Sequence, residues 1–158
     1  MTSVPLTIRP LEKRDLPAVH GIVMRAFETS IAPGYAPSGI ETFARYASQT
    51  EIARRIADNH TILVAETAGT LAGVVEVRRF EHVSMLFVDP AHQRNGIGRA
   101  LLDAALALCA SHAPKPPALT VNSAPSAVAF YKHAGFRPTG PATDTDGIVS
   151  VPMAHVLA

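Results

Sequence analysis

The residues with the clearest chemical use lie in LFVDPAHQRNGIGRALL, Leu86 to Leu102. An apolar extended run ends at Val88-Asp89-Pro90, a loop carries Gly96 and Gly98, and an apolar helical segment follows. Glycines there let the backbone approach a ligand closely. The N–H groups of a first helical turn are unpaired and sit at the positive end of the helix dipole. Such a site suits an anion, most naturally a phosphate. No carboxylate lies between Asp89 and Asp103, whereas Arg94, Arg99 and His92 supply positive charge. Spacing then separates the kinds of phosphate loop. A P-loop needs Lys followed by Ser or Thr directly after its last glycine, and here Gly98 is followed by Arg99-Ala100. A dinucleotide fingerprint needs a third glycine or alanine where this chain has Leu101. A plain glycine turn before a core helix is the structural alternative.

Elements that hold this loop in place can be read from hydrophobic period and from proline and glycine. Leu6 to Arg9 reads as a strand. Asp15 with Pro17 reads as a helix start, followed by Val19, Ile22, Val23, Ala26 and Phe27 at helical spacing. Ser30 to Gly39 is too rich in Pro and Gly for regular structure, and Ile40 to Ile56 suggests a second, broken helical region. Thr61 to Glu66 and Leu71 to Arg78 form an expected hairpin about Thr67-Ala68-Gly69-Thr70, with His82 to Val88 as the next strand. Arg99 to Ser111 is an expected buried helix, Ala118 to Asn122 a strand, and Pro125 to His133 a short helix capped at Gly135. Phe136 to Thr139 and Ile148 to Leu157 close the chain as strands. Strands joined by a crossover helix imply an α/β fold with a mixed sheet and helices on both faces.

Composition narrows the class. The chain has 158 residues, the size of one domain spanning 1–158, with 14 Lys plus Arg against 13 Asp plus Glu, giving a net charge of +1. That balance argues against a nucleic-acid partner. The longest apolar run, Ala104 to Ala110, is too short to span a membrane, and MTSVPLTIRPLEKRDL lacks the apolar stretch of a signal peptide. With Cys109 as the single cysteine there is no intramolecular disulfide, and a cytoplasmic setting is expected. Cys109 shares a helix face with Leu101 and Ala105, which favours a buried apolar role over a nucleophile. The histidines show no metal-ligand spacing, so no metal is expected.

At the residue level the chain resembles the GNAT superfamily of acyl-CoA-dependent N-acetyltransferases. Gln93-Arg94-Asn95-Gly96-Ile97-Gly98 matches the family's Gln/Arg-x-x-Gly-x-Gly/Ala loop. Downstream, Asn122 at a strand end precedes Ala129-Phe130-Tyr131-Lys132-His133-Ala134-Gly135-Phe136, similar to the family's A-x-x-F-Y-x-x-x-G-F signature. The resemblance implies a central, mostly antiparallel sheet of about seven strands with a splayed parallel pair and about four helices. It implies acetyl-CoA as cosubstrate. Leu86, Phe87 and Val88 would pair with the pantetheine amides like an added strand, residues from Gln93 to Arg99 would cradle the pyrophosphate, Asn122 would contact the pantetheine arm, and Phe130 would join the cofactor site. It further implies transfer of the acetyl group to a primary amine of a small molecule, peptide or protein, by direct attack through a tetrahedral intermediate.

Three needs follow for that chemistry. A backbone N–H near Leu86 is the family-like donor to the developing oxyanion. Tyr131, near the sulfur, is the expected general acid. An alkyl amine with a pKa of ~10.4 must lose a proton before attack. Glu76, the only carboxylate in LAGVVEVR, and His82, which opens the next strand, are the candidate bases, with a water-mediated route as a further option. Alternation puts Glu76 on the face of Val74 and Arg78, so a solvated strand face is its structural alternative. Phe27, Tyr35, Phe43 and Tyr46 read as half pocket and half core, and Asp144-Thr145-Asp146 as an exposed turn or a feature attracting a cationic amine. An acyl-CoA-binding sensor without turnover is the competing function and a nucleotide-binding protein a third. Oligomeric state stays open, with a homodimer among the options.

Overall fold

A computed structural model describes residues 5–157. Met1 to Val4, the start of the segment read above for a signal peptide, and Ala158 lie outside the described residues. Eight strands form a sheet in the order β1-β2-β3-β4-β5-β8-β6, with β7 paired to β8. They are β1 (Leu6–Pro10), β2 (His60–Thr67), β3 (Thr70–Arg78), β4 (His82–Val88), β5 (Ala118–Ser123), β6 (Arg137–Pro138), β7 (Thr143–Thr145) and β8 (Ile148–Val156). Only β4 and β5 run parallel. Five α-helices cover the faces: α1 (Leu16–Ser30), α2 (Pro37–Tyr46), α3 (Gln49–Ile56), α4 (Ile97–Ala110) and α5 (Val128–His133).

The expected alternation of elements is present, with local differences that have physical causes. The second helical region is two helices, because Ser48 takes an extended backbone and accepts the N–H of Glu51 at 3.2 Å, starting α3 afresh. The Asp15 carboxylate does not cap α1. It accepts the Glu12 N–H at 2.7 Å and Arg9 at 2.8 Å, and so closes a single turn ahead of the helix. The β2–β3 hairpin turns at Ala68-Gly69, both with positive φ, the geometry that matches strand twist. The closing loop holds an additional short strand, β7, which returns to β8 through a similar turn at Asp146-Gly147.

Two apolar layers sandwich the sheet. On one face α1 buries Val19, Ile22, Val23, Ala26 and Phe27 against Val64, Val74, Met85 and Phe87. On the other, α4 and α5 bury Leu101, Leu102, Ala105, Cys109 and Tyr131 against Val75, Val77, Val83, Leu119 and Val121. Strand β3 is covered on both faces, so Glu76 lies inside the protein and not on a solvated face.

A bulge in β4 sorts side chains between these layers. Glu76 faces Met85 and Val77 faces Val83, which leaves Ser84 as an inserted residue. Without it, Val83, Met85 and Phe87 would share one face. With it, Val83 joins the α4 layer while Met85 and Phe87 join the α1 layer.

Candidate active site

β4 is the axis of the site. It pairs with β5 only through His82 with Thr120 and Val83 with Val121, and beyond that point the two strands diverge. On its other side the Asp89 N–H donates to the Ala72 carbonyl at 2.8 Å. Bonded and non-bonded pairs alternate along an antiparallel ladder. With the observed register, Phe87 and Met85 therefore bond to β3, and the backbone groups of Leu86 and Val88 point into the gap. These are donors and acceptors that an extended guest can satisfy.

Beside the gap lies a cleft of about 620 Å³. Of the residues expected to bind the cofactor, Leu86, Phe87, Val88, Gln93, Arg94, Gly96, Ile97, Gly98, Arg99 and Phe130 all line it. Gly96 has φ +75° and caps α4, so the helix begins at Ile97, two residues earlier than the sequence suggests. Arg94 also has positive φ, at 69°. Two such residues fold the loop back on itself so that successive N–H groups converge, an anion-binding arrangement. The loop thus fits a pyrophosphate by its own geometry. Arg99 also pairs with Asp103 at 3.0 Å, which offsets part of its charge, while Asp89 is held by Arg25 of α1 at 2.7 Å. Asn95 is exposed and does not line the cleft.

A second cavity, of about 300 Å³, shares part of its wall with the cleft. Leu86, Phe87 and Tyr131 line both spaces, and Asn122 lines this one and not the cleft. The four aromatics Phe27, Tyr35, Phe43 and Tyr46 all line it, with Phe27 and Phe43 stacked at 4.0 Å between centroids. The Tyr131 ring is buried against Phe130 and Phe136, and burial holds its phenol well above the ordinary tyrosine range. It stays protonated at neutral pH, as an ordinary tyrosine also does.

Neither candidate base reaches this space. Both oxygens of Glu76 are taken: Arg55 Nε donates to Oε2 at 2.7 Å and Arg55 Nη2 to Oε1 at 3.1 Å, and His60 Nδ1 lies 2.6 Å from Oε2. Sequence reasoning missed this triad because Arg55 reads as one of several surface charges on a polar helix. The only available signal was its helical phase with Ile52, which is buried beside it. Arg55 also donates to the Tyr46 carbonyl at 2.6 Å, and its guanidinium lies 3.7 Å from the Tyr46 ring centroid. His82 sits where β4 and β5 still pair, its Nδ1 2.7 Å from Thr120 Oγ1, and it lines neither space. Burial, with Arg78 nearby, lowers its pKa to about 4. Asp144 and Asp146 are exposed in the β7–β8 hairpin and line neither space. Cys109 is fully buried, as expected, and burial pushes its thiol up to about 11. Among the described residues no group of three or more His, Cys, Asp or Glu is placed to hold a metal, and no helix is long and apolar enough to cross a membrane.

Comparison with known proteins bears on this geometry. A peptidyl-lysine N-acetyltransferase, YjaB of Salmonella typhimurium, is 41% identical over 63 residues, a match spanning 38% of this chain and 39% of that protein. A GCN5-related N-acetyltransferase (aminotransferase, class-II) of Rhodopseudomonas palustris superposes with a TM-score of 0.84 at 22% identity, covering 99% of both chains. The PaiA N-acetyltransferase of Thermoplasma acidophilum, solved in complex with coenzyme A, gives 0.76 at 21% identity and covers 96% of this chain and 99% of its own. The ribosomal-protein-S18-alanine N-acetyltransferase of Escherichia coli gives 0.72 at 24%, covering 98% and 95%. These likenesses show the fold. The model of the acetyltransferase (GNAT) domain matches residues 31–157, so the chain belongs to the GNAT acetyltransferase family.

Proposed function

We propose that this chain transfers the acetyl group of acetyl-CoA to a primary amine. The observation that carries the reading is that two cavities, one lined by the glycine loop and the backbone of β4 and one lined by aromatic rings, share Leu86 and Tyr131. Acetyl-CoA supplies the activated acyl group. The loop from Gln93 to Arg99 holds the pyrophosphate, and the exposed backbone of Leu86 and Val88 pairs with the pantetheine amides. The Leu86 N–H is the donor available to a carbonyl oxygen as it gains charge. Tyr131, protonated at neutral pH as an ordinary tyrosine is, delivers a proton to the departing thiolate. Asn122, on the wall of the aromatic cavity, orients the acceptor side of the gap.

With Glu76 locked to Arg55 and His82 at the closed end of the strand pair, the amine gives its proton to water. A binding module without turnover would need the phosphate loop but neither Tyr131 nor the second cavity, and their convergence favours turnover. Release of free thiol from acetyl-CoA across a panel of amines tests the function. Tyr131→Phe fills the same space, so turnover should fall ten-fold to a thousand-fold, on the order expected of a positioned acid, with acetyl-CoA affinity retained. Unchanged turnover removes Tyr131 from the reaction.

A further inference from the structure

Resting on the acetyltransferase reading, we infer that the acceptor is a small, weakly basic aromatic amine that enters the cavity as its uncharged free base. The wall chemistry is the first support. Every residue lining the cavity is uncharged, and all three tyrosines of the chain are among them. Its polar groups are neutral ones: the hydroxyls of Thr42, Ser84, Ser123 and the tyrosines, and the Asn122 amide. They can orient a ring substituent or accept an N–H, but none balances an ammonium charge. Burying a cation without a counter-charge is strongly unfavourable, and aromatic faces offset only part of that.

The carboxylate that could have served is committed elsewhere. Glu76 is fully buried and does not line the cavity, and both its oxygens are engaged by Arg55 and His60. The guanidinium that satisfies it also lies over the Tyr46 ring, so that face already carries a cation. A second positive charge beside that ring is disfavoured.

The size of the cavity, about 300 Å³, suits a compact acceptor, and a close backbone contact lies beside it. The turn at Gly147 lies directly against the start of α2: a Cβ built on Gly39 would come within 2.3 Å of the Gly147 carbonyl oxygen. This backbone-to-backbone seat joins the β7–β8 hairpin to α2, next to the lining residues Ile148, Tyr35 and Thr42. A lysine side chain presented by a protein would have to enter this uncharged cavity as a cation. An alkyl amine with a pKa of ~10.4 is only about a thousandth free base at pH 7.4, whereas an aryl amine is essentially all free base there.

The test measures kcat/KM for thiol release and acetylated product with the full chain and saturating acetyl-CoA. The acceptors are 4-methoxyaniline, cyclohexylamine, spermidine and a lysine-containing peptide. At pH 7 the aryl amine should exceed each cationic amine at least ten-fold, with a flat profile to pH 9. Cyclohexylamine should rise about ten-fold per pH unit over the same range. Thr42→Asp, which adds a carboxylate to the wall, should shift the aryl-to-alkyl ratio at least ten-fold towards cyclohexylamine, with Thr42→Asn as the neutral control. Preference for spermidine or the peptide, or a Thr42→Asp ratio equal to that of the parent, overturns the aromatic-amine inference while leaving acetyl transfer intact. Absence of thiol release with every acceptor overturns the acetyltransferase reading, and this inference with it.

Discussion

Replacing Glu76 with Gln separates a structural from a chemical role for the carboxylate. Glu76 is 0% exposed, and the Arg55 side chain that binds both its oxygens is 5% exposed. Solvent therefore does little to screen the change. Gln keeps the shape and one acceptor oxygen but leaves the buried guanidinium without a counter-charge. Breaking a buried pair by removing one partner costs about 3–5 kcal/mol, and the retained acceptor argues for the lower end, about 3 kcal/mol. In a chain of this length each kcal/mol moves the melting temperature by about 2–4 °C, so a drop of about 6–12 °C is expected. Thermal unfolding followed by circular dichroism measures it, alongside thiol release at a temperature where the variant is folded. The double variant Arg55→Met with Glu76→Gln should be less destabilised than the sum of the two single changes, because it removes both charges together. A Glu76→Gln protein that melts with its parent and has lost turnover would refute the structural assignment and restore Glu76 as a base.

Other outcomes follow from the same geometry. The depressed pKa of His82, about 4 in the folded chain against 6.5 as the ordinary value, means the unfolded chain binds the proton first. Its contribution to stability is complete above about pH 6.5 and is lost as the pH falls towards 4, so His82→Gln should flatten that part of a urea-denaturation pH series relative to the parent. Cys109, buried and with its thiol raised to about 11, should react with a thiol reagent at pH 8 only as the chain unfolds; rapid labelling of the native protein would contradict its placement. Gly96→Ala forces a side chain into the left-handed region at the start of α4, costing about 1–3 kcal/mol locally. It should raise the KM for acetyl-CoA with little change in kcat, and equal effects on both would indicate damage beyond the loop.

What could be read from the sequence was local. The glycine loop is legible because φ and helix-end chemistry are fixed by adjacent residues, and Ala68-Gly69 is legible as a hairpin turn for the same reason. The edges of β4 and the burial of Cys109 follow from hydrophobic period. Alternation put Glu76 on the face of Val74, where it is, but could not tell a buried face from a wet one; β3 is covered on both sides, and the partner Arg55 is 21 positions away. The bulge at Ser84 has no marker of its own in a run of ordinary strand residues. It shows only once the register between β3 and β4 is known. Asn122 matched its motif, yet its place on the aromatic cavity depends on how far β5 has swung from β4, which no single segment encodes.

The divergence of β4 from β5 also bears on self-association. A strand with unpaired backbone along one side is an edge, and a long edge is normally an invitation to another polypeptide. Here the edge is interior: Leu86 to Val88 lie at the bottom of clefts walled by α1 on one face and by α4 and α5 on the other. A partner strand would bring flanking side chains and neighbours into this walled space, which a thin chain of amides and methylenes would not. The protein thus keeps a template for strand addition ready for use, with access limited by those walls, and the helices that shape the pocket also guard the sheet against aggregation.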